Sequence, residues 1–217
     1  MKQRTISMTS GPLGRNIRVF SLPLMLSNIL QVLFNMSDIA VVGRFAGPVP
    51  LGSVGSCAIL VSLFTGLLIG MGSGINAITA RYVGAKDAIS LQKTVHAAFL
   101  ISLLYGLVIM VLGMLIAKPL LLALHTKQEL LPGAVRYLTV YLCGTPALAL
   151  YNFGNGVLSA AGDSKRPLYY LLFAGVLNIA LNLFFVIVCQ LSVLGVALAS
   201  AISQYLSAGL ILLRLAT

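Results

Sequence analysis

Acidic side chains are nearly missing from this 217-residue chain: four Asp and Glu stand against fourteen Lys and Arg, and only 8% of all residues are charged. Soluble domains carry roughly 25% charged residues, so that class is excluded. Hydrophobic residues make up 59% of the chain, and the mean hydropathy is +1.02. No water-soluble fold hides that much apolar surface. The net charge of +10 does not signal nucleic acid, because the basic residues sit singly or in pairs between apolar runs instead of forming one patch. Cysteine is scarce too. Cys57, Cys143 and Cys189 are odd in number, far apart and inside apolar runs, which argues against a disulfide framework or a metal site and reads them as small buried hydrophobes. With only two histidines, His96 and His125, placed near the ends of apolar runs, no clustered metal ligands arise.

What is present in quantity is apolar sequence of membrane length. A spanning helix needs about 20 mostly apolar residues, since backbone groups in hydrocarbon must bond within their own segment. Six stretches qualify: Val19–Val42, Leu51–Ala80, Val95–Ile116, Tyr137–Ala161, Leu168–Cys189 and Val193–Leu213. The predicted fold class is therefore all-α, a polytopic six-helix membrane bundle. The first run is too long for a signal-peptide core and is expected to remain as a span. The expected organisation is a cytoplasmic segment at 1–18, a transmembrane lobe at 19–213 and a cytoplasmic end at 214–217. Lys and Arg set the orientation. With the N-terminus inside, Lys2, Arg4, Arg15, Arg18, Arg81, Lys86, Lys93, Lys165, Arg166 and Arg214 are inner, while Arg44, Lys118, Lys127 and Arg136 are outer. That excess predicts both termini on the cytoplasmic side of the plasma (inner) membrane.

Polar residues inside the spans are the functional candidates, because burying them in hydrocarbon is costly without a partner or a watery cavity. Asp38 is the one acid within the six stretches; Asp87, Glu129 and Asp163 fall in connections. At about 100° per residue, Asn28, Gln31, Asn35 and Asp38 lie within an arc of roughly 80° on the first helix. Asn178 and Asn182, four apart in the fifth span, share a face with Gly175. Asn152, Asn155, Thr145 and Tyr141 in the fourth span are candidates to complete a polar chamber, although interhelical hydrogen bonding accounts for each of them equally well. Gly70, Gly72 and Gly74 have no preceding strand and read as a helix-packing run, not a phosphate loop. Pro23 and Pro146 are expected to bend their helices.

Four stretches together resemble the N-terminal half of the multidrug and toxic compound extrusion (MATE) family. They are Ser10-Gly11-Pro12-Leu13-Gly14 leading into Phe20-Ser21-Leu22-Pro23; Asp38-Ile39-Ala40-Val41-Val42-Gly43-Arg44; Gly70 to Gly74 followed by Ala80-Arg81-Tyr82-Val83-Gly84-Ala85-Lys86-Asp87; and Ala161-Gly162-Asp163-Ser164-Lys165-Arg166-Pro167. The resemblance implies that Asp38 is the first-helix carboxylate that binds a coupling proton or sodium ion. It likewise implies that Gln31 is a cavity position, that Asn178 is the fifth-helix asparagine of the cavity, and that Ser200 stands where a sixth-helix threonine is found. Asn182 departs from the pattern, falling where many prokaryotic members carry a second aspartate. The family is built from two six-helix lobes around a central cavity, and this chain holds one.

The expectation from these readings is a secondary antiporter that exports organic, often cationic, compounds in exchange for H+ or Na+. Asp38, Asn178 and Asn182 would serve cation coupling, with sodium possible at Asp38, and Gln31, Asn35, Tyr141, Asn152, Asn155 and Ser200 would line the cavity. No cofactor is expected beyond the coupling ion. The expected partners are the lipid bilayer, small organic substrates, and a second six-helix lobe or another copy of the chain. Two alternatives stay open: a lipid-linked precursor flippase of the same superfamily, and an inactive half-transporter. A flippase needs basic groups inside its spans to hold pyrophosphate, and here they lie in connections and at span edges. An intramembrane enzyme needs converging nucleophile, base or metal ligands, which one acid does not supply.

Overall fold

A computed structural model describes residues 13–216. The expectations placed on residues 1–12 and 217, including Lys2, Arg4 and the Ser10-Gly11-Pro12 stretch, lie outside the described residues. Seven α-helices follow one another: α1 (Leu13–Phe45), α2 (Pro48–Gly84), α3 (Ala88–Ala123), α4 (Leu131–Leu142), α5 (Thr145–Ala160), α6 (Lys165–Leu183) and α7 (Ser192–Ala216). A π-helical turn, Phe184–Val188, extends α6, closed by the Cys189 amide bonding to the Phe184 carbonyl at 3.1 Å.

Local chemistry sets the helix ends. Pro48 and Pro50 open α2, where a missing N–H costs nothing, just after Gly47, whose φ of 94° favours a residue without Cβ. Asp87 caps α3 by accepting from the Ser90 amide at 3.0 Å. Asp163 accepts from the Arg166 amide at 3.3 Å and pairs with its guanidinium at 2.9 Å ahead of α6.

The fourth crossing differs from the single bent helix expected at Tyr137–Ala161. Among the described residues five helices are long and apolar enough to cross alone, whereas the fourth passage consists of α4, 12 residues, and α5, 16 residues. At 1.5 Å per residue these measure about 18 and 24 Å, so neither spans about 30 Å of hydrocarbon by itself. Pro146 is the cause. It has no N–H to give the Leu142 carbonyl, and Thr145 Oγ1 takes that place at 2.7 Å while also lying 3.3 Å from the Gly106 carbonyl. Cys143 and Gly144 keep right-handed helical backbone angles, so the chain continues onward, and both halves pack on the same three helices, α2, α3 and α7.

Helix α5 is the buried centre of the lobe, with Tyr151, Phe153, Ala147 and Ala149 sealed from solvent. Glycine lets its neighbours come close. A Cβ on Gly156 would stand 2.6 Å from the Gly72 carbonyl oxygen, and one on Gly106 would stand 2.7 Å from Pro146 Cα. Of the run at Gly70, Gly72 and Gly74, only Gly72 packs in this way; the two flanking glycines face open space. The outer faces are apolar, for example Leu100, Ile101, Leu104, Val108 and Leu115 on α3 and Phe173, Val176 and Ile179 on α6, as hydrocarbon requires. Cys57 is buried, bonding to the Ser53 and Ala134 carbonyls, whereas Cys143 and Cys189 are exposed, contrary to the sequence expectation: Cys143 sits in the break between α4 and α5 and Cys189 in the bend after the π-helical turn.

One end of the lobe gathers the α1–α2, α3–α4 and α6–α7 turns. Ser53 Oγ donates to the Leu130 carbonyl at 3.0 Å there, and Phe45, Ala46, Gln190 and Ser192 edge a common pocket. The α2–α3 and α5–α6 turns therefore occupy the opposite end.

Candidate functional site

Asp38 is completely buried, at 0% exposure, where α1 meets α6 and α7. Its carboxylate accepts from neutral groups on three other helices. Asn182 Nδ2 donates to Oδ1 at 2.7 Å, Ser200 Oγ donates to Oδ2 at 2.6 Å, and the Tyr137 hydroxyl lies at the limit of hydrogen-bond range, 3.5 Å from Oδ2. Asn178 ties this set together. Its Nδ2 donates to Ser200 Oγ at 3.2 Å, and its Oδ1 accepts from Asn182 Nδ2 at 3.2 Å. The result is a closed ring, Asp38, Asn182, Asn178, Ser200 and back to Asp38, joining α1, α6 and α7.

The electrostatics follow from what the ring contains. The Arg166–Asp163 ion pair lies at the α5–α6 turn, and the groups that bond to the Asp38 carboxylate are all neutral. Hydrogen bonds to a charged group are worth about 1.5–3 kcal/mol each, which offsets part of the several kcal/mol it costs to take an unpaired ion out of water. A carboxylate held this way, by neutral donors, keeps its negative charge uncancelled inside the lobe when ionised. Asn182 Oδ1 is buried and has no hydrogen-bond partner, adding an unused acceptor beside it.

The MatE family profile matches residues 23–184, which includes the helices carrying Asp38, Asn178 and Asn182. The chain belongs to the MatE family. It is 31% identical over 203 residues to the probable multidrug resistance protein YpnP of Bacillus subtilis, covering 93% of this chain and 45% of that protein. A crystal structure of a MATE protein in the bent conformation superposes with a TM-score of 0.88 at 27% identity, covering 93% of this chain and 45% of that one. A MOP-superfamily transporter from Pyrococcus furiosus gives a TM-score of 0.89 at 26% identity, covering 99% of this chain and 47% of that one. The chain thus spans about half the length of the relatives it matches. This is a family of membrane transporters, not of enzymes.

Within this MATE lobe, the residues singled out from sequence fall into two groups. Asp38, Asn178, Asn182 and Ser200 meet in the ring, and Gln31, Asn35 and Tyr141 line an adjoining cavity of about 50 Å³ that Asn178 and Ser200 also face. Gln31 Oε1 is buried without a hydrogen-bond partner, and Tyr141 pairs with Thr65 Oγ1 at 3.2 Å. Asn152 and Asn155 do not join that chamber. They line a separate cavity of about 180 Å³ with Asn28, Asn76 and Ser159, because the face of α5 that bears them packs on α2, with Asn28 of α1 across the cavity. Asn152 Nδ2 donates to the Leu148 carbonyl at 2.9 Å, and Asn155 Oδ1 accepts from Ser159 at 3.2 Å. Thr145 is committed to the backbone at the α4–α5 break.

Sequence reasoning missed Tyr137, Ser203 and Gln204. The signal was available for α7, since Ser200, Ser203, Gln204 and Ser207 recur at helical spacing and all four line the Gln31 cavity. Tyr137 stands four residues before Tyr141 on α4, with the rings stacked at 6.0 Å, but a tyrosine near a span end gives no polar signal of its own.

Proposed function

We propose that the chain is one lobe of a secondary antiporter that exports organic, often cationic, compounds in exchange for inward-moving H+ or Na+. The observation that carries the reading is the Asp38 carboxylate, sealed among helices and held solely by neutral donors on α4, α6 and α7. Uptake of a cation there cancels a buried charge. All of its donors then lose their charged acceptor, and the hold of α1 on α6 and α7 weakens, which biases the lobe between two arrangements. An inward-moving cation also gains about 2.3 kcal/mol per charge for each 100 mV of membrane potential, enough to drive export without ATP.

In this reading Asp38, Asn178 and Asn182 couple the cation, while Gln31, Asn35, Tyr141 and Ser200 shape the cavity beside it. Asn152 and Asn155 present amides to transported compounds from their separate cavity. The excess of Lys and Arg on the segments assigned inside supports cytoplasmic termini and a plasma-membrane location. Residues 19–213 form the transmembrane lobe, and the central cleft is completed by a second six-helix lobe or a second copy of the chain. The relatives' length, about twice that of this chain, supports such a partner.

Transport in proteoliposomes under an imposed proton or sodium gradient tests the proposal. Substrate flux is expected to follow the gradient and to fall to background in Asp38→Asn. Flux indifferent to both gradients, or an Asp38→Asn protein as active as the parent, overturns it.

A further inference from the structure

The cavity that holds Asn152 and Asn155 stands apart from the Asp38 ring in composition and in place. Ser73 and Asn76 line it from α2, Asn152, Asn155 and Ser159 from α5, and Asn28 from α1. Asn155 comes five residues before Ala160 and Asn76 eight before Gly84, about 8 and 12 Å from those helix ends at 1.5 Å per residue. The cavity therefore lies in the half of the lobe next to the α2–α3 and α5–α6 turns. Asn28 and Ser73 are exposed at its edge. An exposed amide is costly against hydrocarbon, unlike the apolar outer faces of α3 and α6, so this side of the lobe opens to water.

Hydrogen bonding fixes which end of two amides the cavity meets. Asn76 Nδ2 donates to the Gly156 carbonyl at 2.9 Å, and Asn152 Nδ2 donates to the Leu148 carbonyl at 2.9 Å. A carbonyl oxygen only accepts, so the nitrogen end of each amide must turn towards it, and the oxygen end is left for the cavity. Neither Oδ1 has a protein donor among the described residues, although Asn152 is only 4% exposed. A buried acceptor without a donor is costly, and such an atom marks a place where another molecule donates. Asn155 and Ser159 meet each other at 3.2 Å, and because a hydroxyl takes either part they set no preference.

The lining narrows the ligand further. Among the described residues that form it there is no charged side chain and no aromatic ring. Without Lys or Arg it has no counter-charge for a phosphate or carboxylate, and its two carbonyl oxygens repel one. Without aromatic faces it lacks the cage by which proteins hold quaternary ammonium groups. A group with several N–H bonds suits it best. The volume of about 180 Å³ exceeds the ~10–15 Å³ that one water-sized probe takes by enough to admit an ammonium group and the carbons next to it.

We propose that this cavity binds protonated primary and secondary amines, with Asn76 Oδ1 and Asn152 Oδ1 accepting their N–H bonds from opposite walls, in preference to quaternary ammonium compounds. In the orientation proposed above the cavity lies in the cytoplasmic half, the side from which an exporter loads. That loading role rests on the proposed export of organic cations, whereas the binding itself does not. The site sorts cations by their N–H groups, and it does so with neutral oxygens, apart from the carboxylate of Asp38.

Equilibrium dialysis of the purified chain in detergent micelles at neutral pH, with empty micelles as the blank, tests the proposal. The probes are benzylamine, N-methylbenzylamine and benzyltrimethylammonium, which share one ring and one positive charge and differ in their N–H bonds. The two amines are expected to bind at least about tenfold more tightly than the quaternary compound, the size of effect that a hydrogen bond to a charged group supplies. Asn152→Ser keeps a hydroxyl to donate to the Leu148 carbonyl, as Ser27 does to the Pro23 carbonyl, but withdraws the acceptor from the cavity. It is expected to weaken amine binding by about tenfold and to leave the quaternary compound unchanged. Helical circular dichroism melts confirm that the variant is folded, and Asn152→Thr, which makes the same hydroxyl bond, supplies the comparison if it is not. Equal affinity for all three probes, or no binding of the amines, overturns the proposal. So does amine binding that is lost in Asp38→Asn yet unmoved by Asn152→Ser, since it places the amine at the carboxylate. Dialysis involves no gradient, so amine selectivity that persists where flux ignores both gradients supports this site while refuting the antiport.

Discussion

The contact between α2 and α5 makes a sharp prediction about a single methyl group. Gly156 faces the Gly72 carbonyl so closely that the Cβ of alanine would sit 2.6 Å from that oxygen, 3.3 Å from the Asn76 nitrogen and 3.5 Å from Ile75 Cγ2. The obstacle is backbone, which has no rotamer to turn away, so the helices must part by about 0.8 Å to restore ordinary contact, at a cost of ~1–3 kcal/mol for overpacking. Separation also stretches the bond from Asn76 Nδ2 to the Gly156 carbonyl, now 2.9 Å and worth about 1 kcal/mol. Gly156→Ala is therefore expected to destabilise the lobe by roughly 2–4 kcal/mol, which for a chain of this size lowers the melting temperature by roughly 5–15 °C. Gly70→Ala and Gly74→Ala provide the contrast, since a Cβ at either position meets nothing within 4 Å. Both gain up to about 1 kcal/mol of helix propensity and are expected to melt at or slightly above the parent. Thermal melts of the purified chain in detergent, followed by helical circular dichroism, measure all three. A Gly156→Ala protein as stable as Gly70→Ala would refute the close approach of α2 and α5.

At the broken crossing, Thr145→Val leaves the Leu142 carbonyl without its donor and should cost about 1–3 kcal/mol, whereas in a Pro146→Ala background the new N–H fills that role and most of the cost disappears; a double-mutant melt series in which the two changes simply add contradicts the account of the break. Hydrogen bonds from Ser90 hold the Asp87 carboxyl below its usual 3.8, so its contribution to stability is present above that pH and fades as pH falls below it through the folded-state value. Asp87→Ala should accordingly melt lower than the parent at neutral pH and converge with it under acid, and a gap that persists in acid is inconsistent with capping by the charged form. Finally, Cys189 is exposed beside the α6–α7 turn and Cys57 is buried, so a membrane-impermeant maleimide added outside intact cells should label Cys189 and spare Cys57; labelling of Cys189 only after the membrane is opened would reverse the orientation.

Asp38 was legible because one acid in an apolar run has few ways to be tolerated, and the pairing of Asn178 with Asn182 followed from a four-residue spacing. Their meeting with Ser200 was reached only through family resemblance. Periodicity tells which residues share a face, not which helix that face meets. That limit explains Asn152 and Asn155, whose face on α5 opens to α1 and α2 instead of to Asp38. Pro146 was visible as a disruption, but bend and break differ by whether another donor serves the Leu142 carbonyl, and that depends on where the Thr145 side chain points. Tyr137 was illegible for a related reason: an aromatic residue suits a membrane helix whether or not its hydroxyl reaches an acid. The Gly70 to Gly74 run shows the same boundary, since three similar glycines differ only in what stands opposite them.

The enclosure of α5 by α2, α3 and α7 has a consequence for how the chain is made. Two of these three walls, α2 and α3, are synthesised before α5, but the last, α7, emerges after α5 and α6 have already left the ribosome. Until it arrives, the side of α5 destined for Ile211 has only lipid or earlier helices to touch, and Asp38 lacks Ser200. A nascent lobe therefore carries its acid incompletely satisfied through most of its insertion. Completion of α7 is the step that closes both this face of α5 and the ring of hydrogen bonds at Asp38.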